Sequence, residues 1–354
     1  MKDRDRLTPS LLEPQSRGGD VAEEGFSFQD HVILAHIPVW LAQEGFTALL
    51  REGIGDVEAK FFVPGRGFII QLLEVKDHIL QPSKFWSEVQ RFREVDAGSS
   101  GTYQRFTLVG AGASRELQPL LNGLRRVRDP HGFYEDGSVV NKNSFQDYIQ
   151  LVEGMGKTEQ EARFIFEKVF VEVDWNTAKP YGSALFQQSL VENLAEYSEL
   201  SHRILDNLYV HLSSFIRQRR NQLITRKELE AKIQDKIPPN QLPSSRPILI
   251  YTAIAPDDNP MHPRLHFDWT AFSGGEIRAI APSSQWNQKL MVELQATRSW
   301  IENHRHTKRI KLVGNRRLSA CLAIGSVFSA VRGYTIDMEY RGELWSTDTY
   351  STNQ

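Results

Sequence analysis

Apolar residues recur along the chain with two different periods, and the changes of period mark out its elements. From Asp20 onward Val21, Gly25, Phe28, Val32 and Ala35 fall three or four positions apart, the spacing of one helix face. Asp20 with Glu23 has the form of a capping box, and Pro38 is expected to make the helix falter. The period then drops to two. Val57, Ala59 and Phe61 alternate with Glu58, Lys60 and Phe62, while Phe68 to Val75 is almost wholly apolar, as in a central strand covered on both faces. Pro64-Gly65-Arg66-Gly67 supplies a turn between them. Ser83 is expected to cap a helix through Arg93. A further strand spans Phe106 to Val109, and the small residues Gly110-Ala111-Gly112-Ala113 are expected to turn.

Residues 144–172 read as helix then strand, and residues 183–232 as helical throughout, with a second capping box at Thr225 and Glu228. The proline- and serine-rich segment 237–247 reads as a linker. Beyond it come a buried-type strand (Ile248 to Ile254), a loop leading to Phe267-Asp268-Trp269, and a helix (Trp286 to Trp300). A strand (Arg309 to Val313), an apolar helix (Ser319 to Val331) and an alternating strand (Tyr334 to Tyr340) complete the pattern. Strand and helix in alternation predict a Rossmann-like α/β unit.

A chain of 354 residues is long for one domain. Its 40% hydrophobic and 24% charged residues are ordinary for a globular protein. A net charge of -2 gives no global attraction to nucleic acid, so any such contact needs a local basic patch. Arg217, Arg219 and Arg220, with Arg226 and Lys227 nearby, form the densest one, a candidate DNA-binding surface or equally a solvated helix end. Cys321 is the only cysteine, which excludes an internal disulfide and a cysteine zinc cluster and suits an inert place in a core helix. Residues 1–18 read as a flexible tail without the apolar core of a signal peptide. The stretch from Leu318 to Val331 is shorter than the ~20 residues a bilayer takes. A cytoplasmic protein without a membrane segment is expected.

Chemistry concentrates in GDVEAKFFVPGRGFIIQLLEVKD. Asp56 opens the first strand, and Glu74 and Lys76, two apart at the end of the second, share a face. An acid followed by acid-x-lysine across two neighbouring strands is what a PD-(D/E)xK nuclease core requires. Asp56 and Glu74 would hold Mg²⁺ (or Mn²⁺), and Lys76 would stabilise developing anionic charge or orient the attacking water. Gln90 on the following helix is a supporting candidate, Glu23 or Glu24 a further carboxylate, and Glu58 a rival for the first acid. The bland alternative is a solvated, salt-bridged strand end. His304 and His306 lack ligand-spaced partners and read as a surface loop. Trp269, Trp286 and Trp345 suit core packing or stacking on a base. No G-x-S-x-G elbow is present, and GAGAS at 110–114 lacks the rest of a dinucleotide fingerprint.

Two regions carry a resemblance. GGDVAEEGFSFQDHV, through Gly25, Phe26, Phe28 and Gln29, resembles the opening of the double-stranded-DNA endonuclease domain of CBASS antiphage effectors, and ITRKELEAKI resembles its tail. HFDWTAF, SQWNQKL and the stretch from IKLVGNRRLSACLAIG to ELWSTD resemble the first half of SAVED, the CARF-like sensor fused to such nucleases. Leu318-Ser319, Ala323-Ile324-Gly325, Gly333 and Trp345 fall in its frame. The resemblance implies an α/β protein with a restriction-endonuclease-like mixed-sheet core (19–178) and a helical extension (179–236). The linker (237–247) and a Rossmann-like SAVED half (248–354) would follow. It implies a metal-dependent endonuclease acting on double-stranded DNA in antiphage defence. Activation would come from a cyclic oligonucleotide in a homo-oligomer, or from a docked HerA-type ATPase partner. Arg316, Arg317 and Ser319, ahead of a helix, are the candidate nucleotide contacts, or else a solvated basic loop with Ser319 as a plain N-cap. A binding module without catalysis is the third reading.

Overall fold

The computed structural model describes residues 18–99, 101–134, 137–175, 179–253, 264–270, 282–314 and 318–348. Two mixed sheets organise it. In the first, the order is β5-β4-β3-β2-β1-β6, with β1 (Phe46–Arg51), β2 (Val57–Val63), β3 (Gly67–Leu80), β4 (Tyr103–Ala113), β5 (Val169–Glu172) and β6 (Leu223–Thr225). The strands β3, β4 and β5 run parallel, while β2, β1 and β6 are joined antiparallel. One core joins α1 (Gly18–Ala42), α6 (Lys179–Asn193), α7 (His202–Gln218) and α8 (Arg226–Gln234) to the sheet through Phe28, Trp40, Phe61, Phe186 and Leu208. Another joins α2 (Pro82–Gly98), α3 (Gln118–Arg128), α4 (Val139–Glu153) and α5 (Glu159–Lys168) through Leu72, Phe85, Phe106, Leu120 and Ile149. Each large apolar side chain so buried contributes roughly 1.5–3 kcal/mol.

The second sheet has the order β11-β10-β9-β7-β8. Its strands are β7 (Ile248–Ala253), β8 (Leu265–Asp268), β9 (Arg309–Val313), β10 (Thr335–Tyr340) and β11 (Glu343–Ser346), parallel except for the β10–β11 hairpin. A short turn α9 (Ser283–Gln285) leads through a π-helical stretch, Trp286–Leu290, into α10 (Met291–His304). With α11 (Leu318–Val327) it covers Ile250, Phe267, Trp269, Ile310 and Leu312.

The two sheets meet at the turn end of the β2–β3 hairpin. Phe62 packs in the second core, stacked on Trp300 at 5.2 Å, and the Trp300 indole donates to Thr47 Oγ1 at 3.0 Å. Gly65 and Gly67 take the positive φ that this turn needs, and a Cβ on Gly65 would lie 2.9 Å from Glu293 of α10.

Several expectations change. The helix α1 runs through Pro38 without a break, because residues 28–41 are buried on almost every side and that packing outweighs the cost of proline, ~3 kcal/mol. The small residues 110–113 continue β4. Gly110 lies so close to Leu80 that a Cβ would sit 2.7 Å from its Cγ, so smallness serves strand packing there. The helix expected from Ser83 starts at Pro82, with Gln81 as its N-cap. Residues 144–168 form two helices separated at Gly154–Lys157, the second opened by a Thr158–Glu161 capping box. The stretch 183–232 is interrupted around residues 194–201 and again by β6, after Asn221 takes φ +55°. The Thr225–Glu228 capping box then opens α8. The apolar helix expected to reach Val331 ends at Val327, and β1, α3 and β11 are elements with no counterpart in the sequence reading. Cys321 is half-buried. His304 ends α10 and packs on Trp300 and Phe68, while His306 is exposed. Trp269 is buried and donates to Glu293, Trp286 is partly buried against the second core, and Trp345 is half-exposed on β11. Among the described residues no helix is long and apolar enough to cross a membrane.

Candidate active site

The antiparallel register of β2 and β3 ends on Val57 opposite Leu73, which puts Asp56 beside Glu74 one step further on. Asp56 closes a five-residue loop, Glu52-Gly53-Ile54-Gly55-Asp56, whose Glu52 N–H donates to the Asp56 carbonyl. Two features make that loop fit. A Cβ on Gly55 would fall 2.7 Å from the Leu72 side chain, and Glu58 Oε1 accepts the Ile54 N–H at 2.6 Å. Glu58 thus anchors the loop, and its own register partner is Leu72.

Asp56 Oδ2 accepts the Val75 N–H at 2.7 Å. Glu74 is buried, and its two oxygens face two cations: Oε1 accepts from Lys76 Nζ at 2.7 Å and Oε2 from Arg91 Nη2 at 2.5 Å. Glu88 on α2 closes the ring, 3.0 Å from Lys76 Nζ and 2.8 Å from Arg91 Nε. Arg91 Nη1 also donates to the Ile54 carbonyl at 3.1 Å. Burial pushes the Lys76 ammonium down, but Glu74 and Glu88 outweigh it and hold it above its ordinary value. Burial raises Glu88, and Lys76 and Arg91 bring it below the usual carboxylate range. Asp56 differs from the ring. Burial and the neighbouring Glu74 charge push its pKa up to about 6, against the Val75 N–H, Lys76 and Arg91.

A cleft of about 520 Å³ is lined by Asp56, Glu74 and Arg91 together with Gln29, Glu52 and Arg220. Behind it lies a second charged cluster. Asp30 is buried and held by Arg51 at 3.0 Å and by Arg217 Nε at 2.5 Å, while Arg220 pairs with Glu52. Of these arginines, Arg220 lines the cleft, and Arg217 is tied to Asp30. Arg219 turns away to Glu228 at 2.7 Å and lies over the Phe215 ring.

Among the described residues no group of three or more His, Cys, Asp and Glu is arranged to hold a metal ion. Two converging carboxylates nevertheless suit Mg²⁺, which keeps several waters and takes one or two protein carboxylates. Burial first, and then the Glu74 charge, disfavour an ionised Asp56, and a divalent cation held by Asp56 and Glu74 would offset both.

Gln90, expected to support Lys76, is exposed and bonds Glu94 within its own helix at 2.9 Å. The residues that do face the cluster are Glu88 and Arg91. Phe85, Val89 and Phe92 mark the buried stripe of α2; position 88 flanks it, while positions 90 and 91 lie equally far from it on opposite sides, so the stripe points to Glu88 but does not separate Arg91 from Gln90. Ser319 is exposed in the first turn of α11. Arg316 and Arg317 lie outside the described residues, as do the side chains of Glu23, Glu24 and Phe26.

No protein-family model matches the chain. It is 29% identical over 350 residues to CD-NTase-associated protein 4 of Moraxella osloensis and 26% identical to that of Acinetobacter sp. (strain ATCC 27244 / 9458), in each case across 98% of this chain and 73% of the relative. The solved Cap4 SAVED/CARF-domain containing receptor of Moraxella osloensis superposes with a TM-score of 0.78 at 27% identity, over 94% of this chain and 74% of that one. The Acinetobacter baumannii Cap4 receptor with the cyclic trinucleotide 3'3'3'-cAAA has the same fold, with a TM-score of 0.79 at 23% identity, over 93% and 70%. Both sheets are included in these likenesses: the chain is similar, across nearly its whole length, to Cap4 SAVED/CARF-domain containing receptors.

Proposed function

We propose that this chain is a Mg²⁺-dependent endonuclease of antiphage defence that cuts double-stranded DNA, with its activity controlled through the second sheet by a cyclic oligonucleotide. The observation that carries the catalytic half is that Asp56 and Glu74 line one cleft, on strands whose register makes them neighbours, with Lys76 Nζ bonded to Glu74 Oε1. A divalent ion held by Asp56 and Glu74 would activate water and neutralise phosphate charge. Lys76 is kept protonated by Glu74 and Glu88 and donates to the phosphate oxygen that gains charge in the transition state. Glu88 aims it. Arg220 at the cleft wall, and Arg217 exposed beside Asp30, would meet neighbouring phosphates of a duplex in exchange for Glu52 and Asp30.

The regulatory half is supported by the whole-length likeness to Cap4 receptors, one of them solved with a cyclic trinucleotide. The test is a plasmid-cleavage assay in Mg²⁺ against a panel of cyclic di- and trinucleotides that includes 3'3'3'-cAAA. Cutting that appears only with one member of the panel is expected. Cutting that ignores every member, or that follows a co-purifying ATPase instead, would remove the ligand from the account.

A further inference from the structure

We infer that Arg91 holds the metal's place on Glu74 in the metal-free protein and becomes the phosphate-positioning group of the cleft once a cation displaces it. The inference rests on the nuclease reading above and adds a role for a residue outside the acid and acid-x-lysine pattern.

The three donor nitrogens of the Arg91 guanidinium go to three different places. Nε donates to Glu88 Oε2 at 2.8 Å, Nη1 to the Ile54 carbonyl at 3.1 Å, and Nη2 to Glu74 Oε2 at 2.5 Å. Two of these anchors lie outside the proposed metal pair, one on its own helix and one in the 52–56 loop. Only Nη2 touches a proposed ligand. Glu74 has little freedom to serve both, because it is 8% exposed and its other oxygen is taken by Lys76 at 2.7 Å. A divalent cation shared by Asp56 and Glu74 competes for the oxygen that Nη2 now occupies.

Once displaced from Glu74, Arg91 keeps its bonds to Glu88 and to Ile54. Its side chain is one-third exposed and lines the cleft, so the released Nη2 faces the space a substrate enters. A guanidinium held at two corners with one amino group free is a fixed, charge-assisted donor for a phosphate oxygen. Lysine cannot reproduce it, because a single ammonium cannot reach the three anchors from one fixed plane. The same side chain would therefore weaken metal binding before substrate arrives and tighten substrate binding afterwards. This opposition is the signature to look for, since loss of a merely structural arginine would weaken both.

The experiment uses the full chain with Mn²⁺ as probe, followed by its electron paramagnetic resonance signal without DNA, and then measures duplex cleavage in Mg²⁺. Arg91→Gln is expected to bind Mn²⁺ about tenfold more tightly than wild type, the scale of a lost hydrogen bond between charged groups, and to raise KM for DNA by a similar factor. Arg91→Lys is expected to fall between the two in both readouts and serves if the glutamine variant fails to fold. Glu74→Gln should no longer bind Mn²⁺ and should leave the free-ion signal undiminished. If Arg91→Gln, or Arg91→Lys in its place, binds Mn²⁺ no more tightly than wild type while Glu74→Gln has lost it, Arg91 does not hold the metal's place. The nuclease reading then survives. If Glu74→Gln binds Mn²⁺ as wild type does, the metal site itself is wrong and this inference falls with it.

Discussion

The cleft ring and the seam between the sheets are both built from carboxylates and arginines, yet they are wired differently. At the seam the Glu44 side chain is fully buried, held by Arg305 Nη1 at 2.5 Å and near Arg246 at 3.5 Å. The arginines there mostly grip backbone. Arg305 Nη1 also donates to the Glu44 carbonyl, Arg226 to those of Leu41 and Gln43, and Arg246 to those of Leu41 and Ala42. Three cations from α8, the linker and the end of α10 thus gather on the C-terminus of α1, where the helix dipole favours them. Burial lowers the pKa of Arg226 to about 10, with Arg305 adding to the effect, and at neutral pH it is still charged. In the cleft, by contrast, side chains mainly bind one another beside an open space of about 520 Å³. A carboxylate whose partners are arginines anchored on backbone has nothing to exchange them for. A carboxylate whose partners are side chains at the edge of a cleft can trade one for a cation, and an arginine can trade a carboxylate for a phosphate.

Breaking the seam should cost the most stability. Glu44→Ala leaves Arg305 buried without its carboxylate and is expected to destabilise by about 3–5 kcal/mol, read from urea denaturation. Phe62→Ala removes the ring stacked on Trp300 and should cost roughly 3 kcal/mol in the same assay. Either variant losing less than about 1 kcal/mol would mean that the seam is not structural. The cleft should respond to pH instead. An acid whose folded pKa is raised holds its proton more tightly folded than unfolded. Metal-free wild type should therefore lose stability as pH rises from near 3.8 to about 6, and that loss should persist above. Asp56→Asn should lack this component, checked by melting curves across that range in chelator. The smallest effect belongs to a third kind of pair. Arg163 and Glu159, half-exposed on α5, are screened by water, and Arg163→Ala should cost under about 0.5 kcal/mol.

The contrast also explains what the sequence could reveal. Asp56, Glu74 and Lys76 lie within 21 residues on two strands and one turn, so period-two alternation and a Pro-Gly-Arg-Gly turn were enough to bring them together on paper. The Thr225–Glu228 box was equally local. Strand β1 was not, because Ala48-Leu49-Leu50-Arg51 carries good helix formers and becomes a strand only by pairing with β2 and β6. Glu44 and Arg305 are 261 residues apart, and no local pattern joins them. The buried stripe of α2 leads to Glu88, but Gln90 and Arg91 lie equally far from it, and only the contact with Glu74 distinguishes Arg91.

The most direct test of the central claim is relaxation and linearisation of supercoiled plasmid in Mg²⁺, comparing wild type with Lys76→Ala, each with and without cyclic trinucleotide. The account predicts cutting by wild type and a loss of at least about a hundredfold for Lys76→Ala, whose fold should be intact because the lysine is partly exposed. Equal cutting by the two proteins, or none by either under any condition, would contradict it.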